Sequence, residues 1–185
     1  MKSLRSILPV VVLMSLSPMA FAQTDAHKSS VAPVPSEAQK TFATMKSLAG
    51  EWEGPVTTVP QAAEVEGKVA RFSLRVTSMG NALVHELSIA GRSDHPVTMF
   101  YLDGDRLLLT HYCDAGNRPR MVSKVSPDGK TVEFDFLDLS GGNQYGHMHH
   151  AVFTVIDANH HTEDWTWMDP GDKPTHARFD LQRAK

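Results

Sequence analysis

Residues 128–136 read Asp-Gly-Lys-Thr-Val-Glu-Phe-Asp-Phe. Val132, Phe134 and Phe136 alternate with Glu133 and Asp135, a period of two that sends apolar side chains to one face of a strand and acids to the other. The Asp128-Gly129 pair ahead of them marks a hairpin, because both central residues of a type I′ turn need positive φ. The same two signals recur from Trp52 onward. Leu83, His85, Leu87 and Ile89 alternate with Glu86 and Ser88, and Phe179 and Leu181 alternate with Arg178, Asp180 and Gln182. Met79-Gly80-Asn81, Asp103-Gly104-Asp105 and Asp169-Pro170-Gly171-Asp172 punctuate the runs. This spacing predicts about ten strands, near 52–58, 66–77, 82–90, 96–103, 106–113, 119–126, 131–138, 147–157, 160–168 and 175–183.

Ten sequential strands without a crossover helix form an antiparallel meander. Closing it on itself removes both exposed edges. The expected fold is therefore all-β: an up-and-down antiparallel barrel of about ten strands. An immunoglobulin-like sandwich fits less well, since the Cys…Trp…Cys spacing is absent. An outer-membrane barrel needs a lipid-facing apolar band, whereas Glu86, Glu133, Asp135, Arg178 and Asp180 fall on the outward face. A short helix precedes the strands. Ser36 and Gln39 have the spacing of a capping box, Phe42, Met45 and Leu48 share one face, and Gly50 stands where an αL terminator is expected.

Ahead of the helix, Lys2 and Arg5 flank an apolar run from Ile7 to Leu16, followed by Ala20-Phe21-Ala22. That is the pattern of a cleaved export signal, too short to span a bilayer. The expected organisation is a signal peptide over 1–22, a flexible lead-in over 23–35 and one barrel domain over 36–185. The expected location is the periplasm or the extracellular space. A formal charge of −3 without a basic stripe argues against a nucleic-acid partner. The single cysteine, Cys113, excludes an internal disulfide.

Leu48-Ala49-Gly50-Glu51-Trp52-Glu53-Gly54, after a short helix and opening the first strand, resembles the Gly-x-Trp start of the lipocalin-like (calycin) β-barrel superfamily. The nearest likeness is to uncharacterised secreted bacterial lipocalin-like proteins with a Leu-x-Gly-x-Trp start. More distant likenesses are the nitrobindin-like and fatty-acid-binding barrels. The resemblance implies that Trp52 plugs the closed end and that a basic side chain of the last strand, Arg183 or else Arg178, covers it by cation–π contact. Gly50, Trp52 and Arg183 form this structural signature.

Parity assigns the lining. His85 falls with Leu83, Leu87 and Ile89; His111 and Cys113 with Leu107 and Leu109; His147 and His149 with Ala151, Phe153 and Val155; Glu163 with Trp165 and Trp167. His176 falls on the outward face with Arg178 and Asp180, and His160 in the preceding turn. One reading leaves most of the 10 histidines on rims or internally satisfied. A second makes the interior a pocket for a small, largely apolar molecule, with His85, His111, Cys113, His149, Glu163 and Trp165 as ligand-binding residues and Phe134 and Leu87 beside the apolar body. It calls for no cofactor. A third uses His111, Cys113, His147 and His149 as N and S ligands for Zn or Cu, or holds haem as nitrobindin-like barrels do near their C-terminal strands. The outward parity of His176 counts against haem. No Gly-x-Ser-x-Gly or phosphate loop points to catalysis, so an enzyme of calycin type ranks last.

Overall fold

The computed structural model describes residues 34–125 and 129–185. The expected signal peptide, most of the lead-in and Asp128 of the hairpin lie outside them. Ten strands follow one helix, α1 (Glu37–Ser47): β1 (Gly50–Val59), β2 (Val69–Thr77), β3 (Ala82–Ile89), β4 (Val97–Asp103) and β5 (Arg106–Tyr112). Then come β6 (Arg118–Val125), β7 (Thr131–Ser140), β8 (His147–Asp157), β9 (His160–Met168) and β10 (Pro174–Arg183). Every strand pairs antiparallel with its sequence neighbours, and β1 pairs with β10 to close the barrel. Along that seam Trp52 lies opposite Arg183 and Val56 opposite Phe179. Period-two alternation and tight turns therefore generate the wall, and closure leaves no unpaired edge.

α1 covers one end. Its N-terminus carries the capping box: Gln39 N–H donates to Ser36 Oγ at 3.2 Å, and Ser36 N–H donates to Gln39 Oε1 at 2.8 Å. Thr44 Oγ reaches Gly129 O and Lys46 Nζ donates to Gly80 O, tying the helix to the β6–β7 and β2–β3 turns. Phe42, Met45 and Leu48 are buried in the same core as Trp52. At roughly 1.5–3 kcal/mol for each large apolar side chain, this docking rather than helix propensity holds α1 in place.

Gly50 differs from expectation. The helix ends with Leu48 as its cap in the αR region, and Gly50 opens β1 at φ 139°, outside αL. Its purpose is space, because a Cβ there would lie 2.2 Å from Arg183 Nη1. That guanidinium sits 4.1 Å from the Trp52 ring centroid, and its Nη1 donates to Ala49 O at 3.0 Å. Trp52 Nε1 in turn donates to Leu48 O at 2.8 Å. Arg178 lies outside and pairs with Asp164.

Above this floor the interior is aromatic. Phe100 meets Phe134 and Phe153 with centroids 5.5 Å apart in both pairs, and Phe72 meets Phe179 at 5.0 Å, all edge-to-face. Among the described residues, no helix is long and apolar enough to cross a membrane.

Candidate functional site

The inner face of β9 carries His161, Glu163, Trp165 and Trp167 at every second residue, running from the helix-covered end toward the opposite end. His161 sits edge-on to Trp52, with centroids 4.2 Å apart and rings at 87°. Glu163 is fully buried. It accepts from His85 Nε2 at 3.0 and 3.2 Å, from His161 Nε2 at 3.1 Å and from Trp165 Nε1 at 2.9 Å. Burial alone would raise its carboxyl. The charge on His85, the hydrogen bonds from His161 and His85 and the charge on His161 outweigh that and hold it down at about 2. An ionised carboxylate only accepts, so both imidazoles present Nε2–H to it. Their Nδ1 atoms, sealed from solvent, have no hydrogen-bond partner among the described residues.

Three neighbouring strands set a second row at the level of His85. His85 on β3 lies opposite Thr98 on β4, and Thr98 opposite His111 on β5. Thr98 Oγ1 and His111 Nδ1 are 2.9 Å apart. Burial, and then the charge on His85, pushes the His111 imidazole down to about 3, so it is neutral at ordinary pH. Trp165 spans both rings, with centroids 5.9 Å from His85 and 5.5 Å from His111.

These side chains lie under a cavity of about 210 Å³ at the barrel end away from α1. Its walls are mainly apolar: Leu87, Ile89, Met148, Trp167, Ala177 and Phe179. His85, His111, Cys113 and Trp165 also line it. At the mouth Arg92 grips Asp94 through Nε at 2.8 Å and Nη2 at 3.1 Å, and Nη2 lies 3.7 Å from Asp114 on the β5–β6 connection. The hydrogen bond from Arg92 lowers the Asp94 carboxyl, although partial burial opposes it. The half-buried Cys113 thiol is pushed up to about 11 by burial and donates to Asp114 Oδ1 at 3.3 Å.

Of the six residues expected to bind a ligand, His85, His111, Cys113 and Trp165 meet at the cavity, with Glu163 directly behind His85. His149 does not join them. The β8–β9 register shifts between Met148 and His150, so Met148 faces Trp167 and takes the inward position. His149 stacks on Phe136 (centroids 5.0 Å apart, 15° between planes) and its Nδ1 is 3.1 Å from His147 Nε2. A bulge adds one residue, so the parity counted back from Ala151 fails there. Phe134 belongs to the packed core rather than the lining.

The expected metal set does not assemble either. His111 and Cys113 lie at the cavity, while His147 and His149 lie beside Phe136. Among the described residues, the one group of three potential ligands within 4.8 Å of one another is Glu133, Asp135 and His150. There His150 Nε2 already sits 3.0 Å from Glu133, and Lys124 pairs with Asp135. Haem does not fit. His176 is exposed with Nδ1 3.1 Å from Thr166 Oγ1, and 210 Å³ falls below even the pockets of about 300–1,000 Å³ that take drug-sized ligands.

Sequence reasoning missed His161, Thr98 and the Arg92–Asp94–Asp114 cluster. His161 stands two residues before Glu163, so the strand period contained it. Thr98 shares the alternation of Phe100. The mouth residues sit on connections, where no period applies.

No protein-family model and no curated protein matches the sequence. Among solved structures, the chain is similar to a crystal structure of a protein of unknown function from the DUF3598 family of Nostoc punctiforme. The TM-score is 0.53 at 13% identity, over 76% of this chain and 48% of that one. This chain thus spans about half the length of that protein, and the likeness extends to the fold alone.

Proposed function

We propose that the chain is an exported binding protein that holds a small, largely apolar molecule in the cavity above His85 and His111. The observation that carries this reading is the cavity itself: a core with no cargo fills such space with side chains to near-crystalline density. Apolar walls with a few converging polar groups are the usual make-up of a small-molecule pocket. Two further features support the same role. The Trp52–Arg183 plug reproduces the arrangement expected of lipocalin-like barrels, and residues 1–22 carry an export pattern.

Native mass spectrometry of the purified protein tests the reading. A stoichiometric organic adduct, released on denaturation and lost in Met148→Trp, is the expected result. Absence of any adduct, together with unchanged Trp165 fluorescence on titration with small apolar molecules, would overturn it. Export is tested by the mass of the recovered chain, which should correspond to a start at Gln23.

A further inference from the structure

The cavity presents a narrow choice of polar contacts. Trp165 Nε1 is committed to Glu163, and His85 Nδ1 is sealed from solvent. His111 is different: Nδ1 is held by Thr98, while Nε2 makes no hydrogen bond to any described residue and is not among the sealed polar atoms. Nε2 is therefore an open imidazole nitrogen in the lining. Thr98 Oγ1 can donate to Nδ1 or accept from it, so Nε2 is either a donor or an acceptor.

Each charge at the cavity has a partner, with one guanidinium shared by two carboxylates. The Arg92 guanidinium bonds both oxygens of Asp94 and lies beside Asp114. Glu163 takes three N–H groups. Cys113 is a thiol directed at Asp114. A charged ligand would have to bury its charge among apolar walls, and an anion would also have to draw Arg92 away from Asp94, at a cost of several kcal/mol. Size adds a bound, since a dry apolar cavity of about 150 Å³ accepts benzene. The 210 Å³ here leaves room for one such ring and a substituent.

Resting on the binding role proposed above, we infer that the cargo is neutral, about the size of a single substituted benzene ring, and carries a hydroxyl that hydrogen-bonds His111 Nε2. A hydroxyl is the smallest neutral group that meets either state of that nitrogen, because it both donates and accepts. The apolar body packs against Trp165, Trp167 and Phe179.

Three probes of similar size separate the alternatives: p-cresol, toluene and benzoate. Each is titrated by calorimetry into the full mature chain at pH 7.5, with Trp165 fluorescence as a second readout. p-Cresol is expected to bind about tenfold tighter than toluene, the upper range for one neutral hydrogen bond. Benzoate is expected to be the weakest. In His111→Phe the preference for p-cresol over toluene should vanish while toluene still binds. If that variant does not fold, Thr98→Val, which frees His111 Nδ1 and unfixes the ring, should shrink the preference. Equal binding of p-cresol and toluene in the natural chain would overturn the inference and leave the cavity reading standing. Tightest binding by benzoate would overturn the neutrality of the cargo. Failure of all three probes, with no adduct in the purified protein, would overturn both the inference and the binding role.

Discussion

Glu163 is a fully buried carboxylate on which three N–H groups converge. Replacing it with Gln removes one of the two oxygens that accept these three N–H groups and sets an amide N–H against at least one of them. Each buried donor left unsatisfied costs about 1–3 kcal/mol. Glu163→Gln is expected to lower unfolding free energy by about 3–5 kcal/mol, measured by urea titration at pH 7. Two deeply buried groups contribute to the pH dependence with the same sign. His111 stays neutral in the fold down to about 3, so below its ordinary value of 6.5 only the unfolded chain takes up its proton, and stability falls as pH drops from 6.5 toward 3. Glu163 is held at about 2 against an ordinary 4.5, so its contribution is whole above 4.5 and drains away as pH falls toward 2. Urea midpoints at pH 7, 5.5 and 4 should therefore decrease in order. In His111→Phe the fall between pH 6.5 and 5 should become shallower, with the part due to His147, which burial also lowers, left in place, while the later decline remains. Gly50→Ala is expected to cost about 1–3 kcal/mol and to shift Trp52 emission, since the new Cβ displaces the guanidinium above the ring.

Among the elements, β8 separates what a period can reveal from what it cannot. Leu83, His85, Leu87 and Ile89 keep strict alternation through β3, so reading every second residue placed His85 beneath the cavity. The same logic on β9 reached Glu163, Trp165 and Trp167. It extends to His161 too, the next inward position back along the strand. On β8 the pattern from Ala151 to Val155 is equally regular, yet one extra residue at the Met148–His150 irregularity reverses every side chain before it. Nothing in His-Met-His-His marks that insertion, because a bulge is set by the pairing partner rather than by the strand's own composition. The two strand assignments are distinguishable by mutation. His149→Ala should leave p-cresol affinity within about twofold, whereas Met148→Trp should lower it more than tenfold by filling the cavity. The helix, by contrast, was written plainly in its cap. Ser36→Ala should cost about 0.5–2 kcal/mol in the same urea assay.

For the whole molecule, closure is the organising fact. Local turns and alternation specify ten strands, but the β1–β10 seam joins segments at opposite ends of the domain, and no local pattern announces it. It follows because a long meander with two open edges is unstable against pairing with itself. A chain ending at residue 173 lacks β10 and exposes Val56, Trp52 and the inner face of β9. It is expected to lose its near-ultraviolet circular dichroism and to bind a hydrophobic dye, the marks of a collapsed but unpacked state. The likeness to the DUF3598 structure, at 13% identity, belongs to this scale as well, since an architecture persists where individual side chains do not.

The seam also has a temporal meaning. Trp52 cannot find Arg183 until β10 has been made, so a growing polypeptide carries β1 to β9 as an unzipped ribbon with one side wet and the other greasy. Such a ribbon folds late and is vulnerable early. The seam assigns to β10 the job of a clasp.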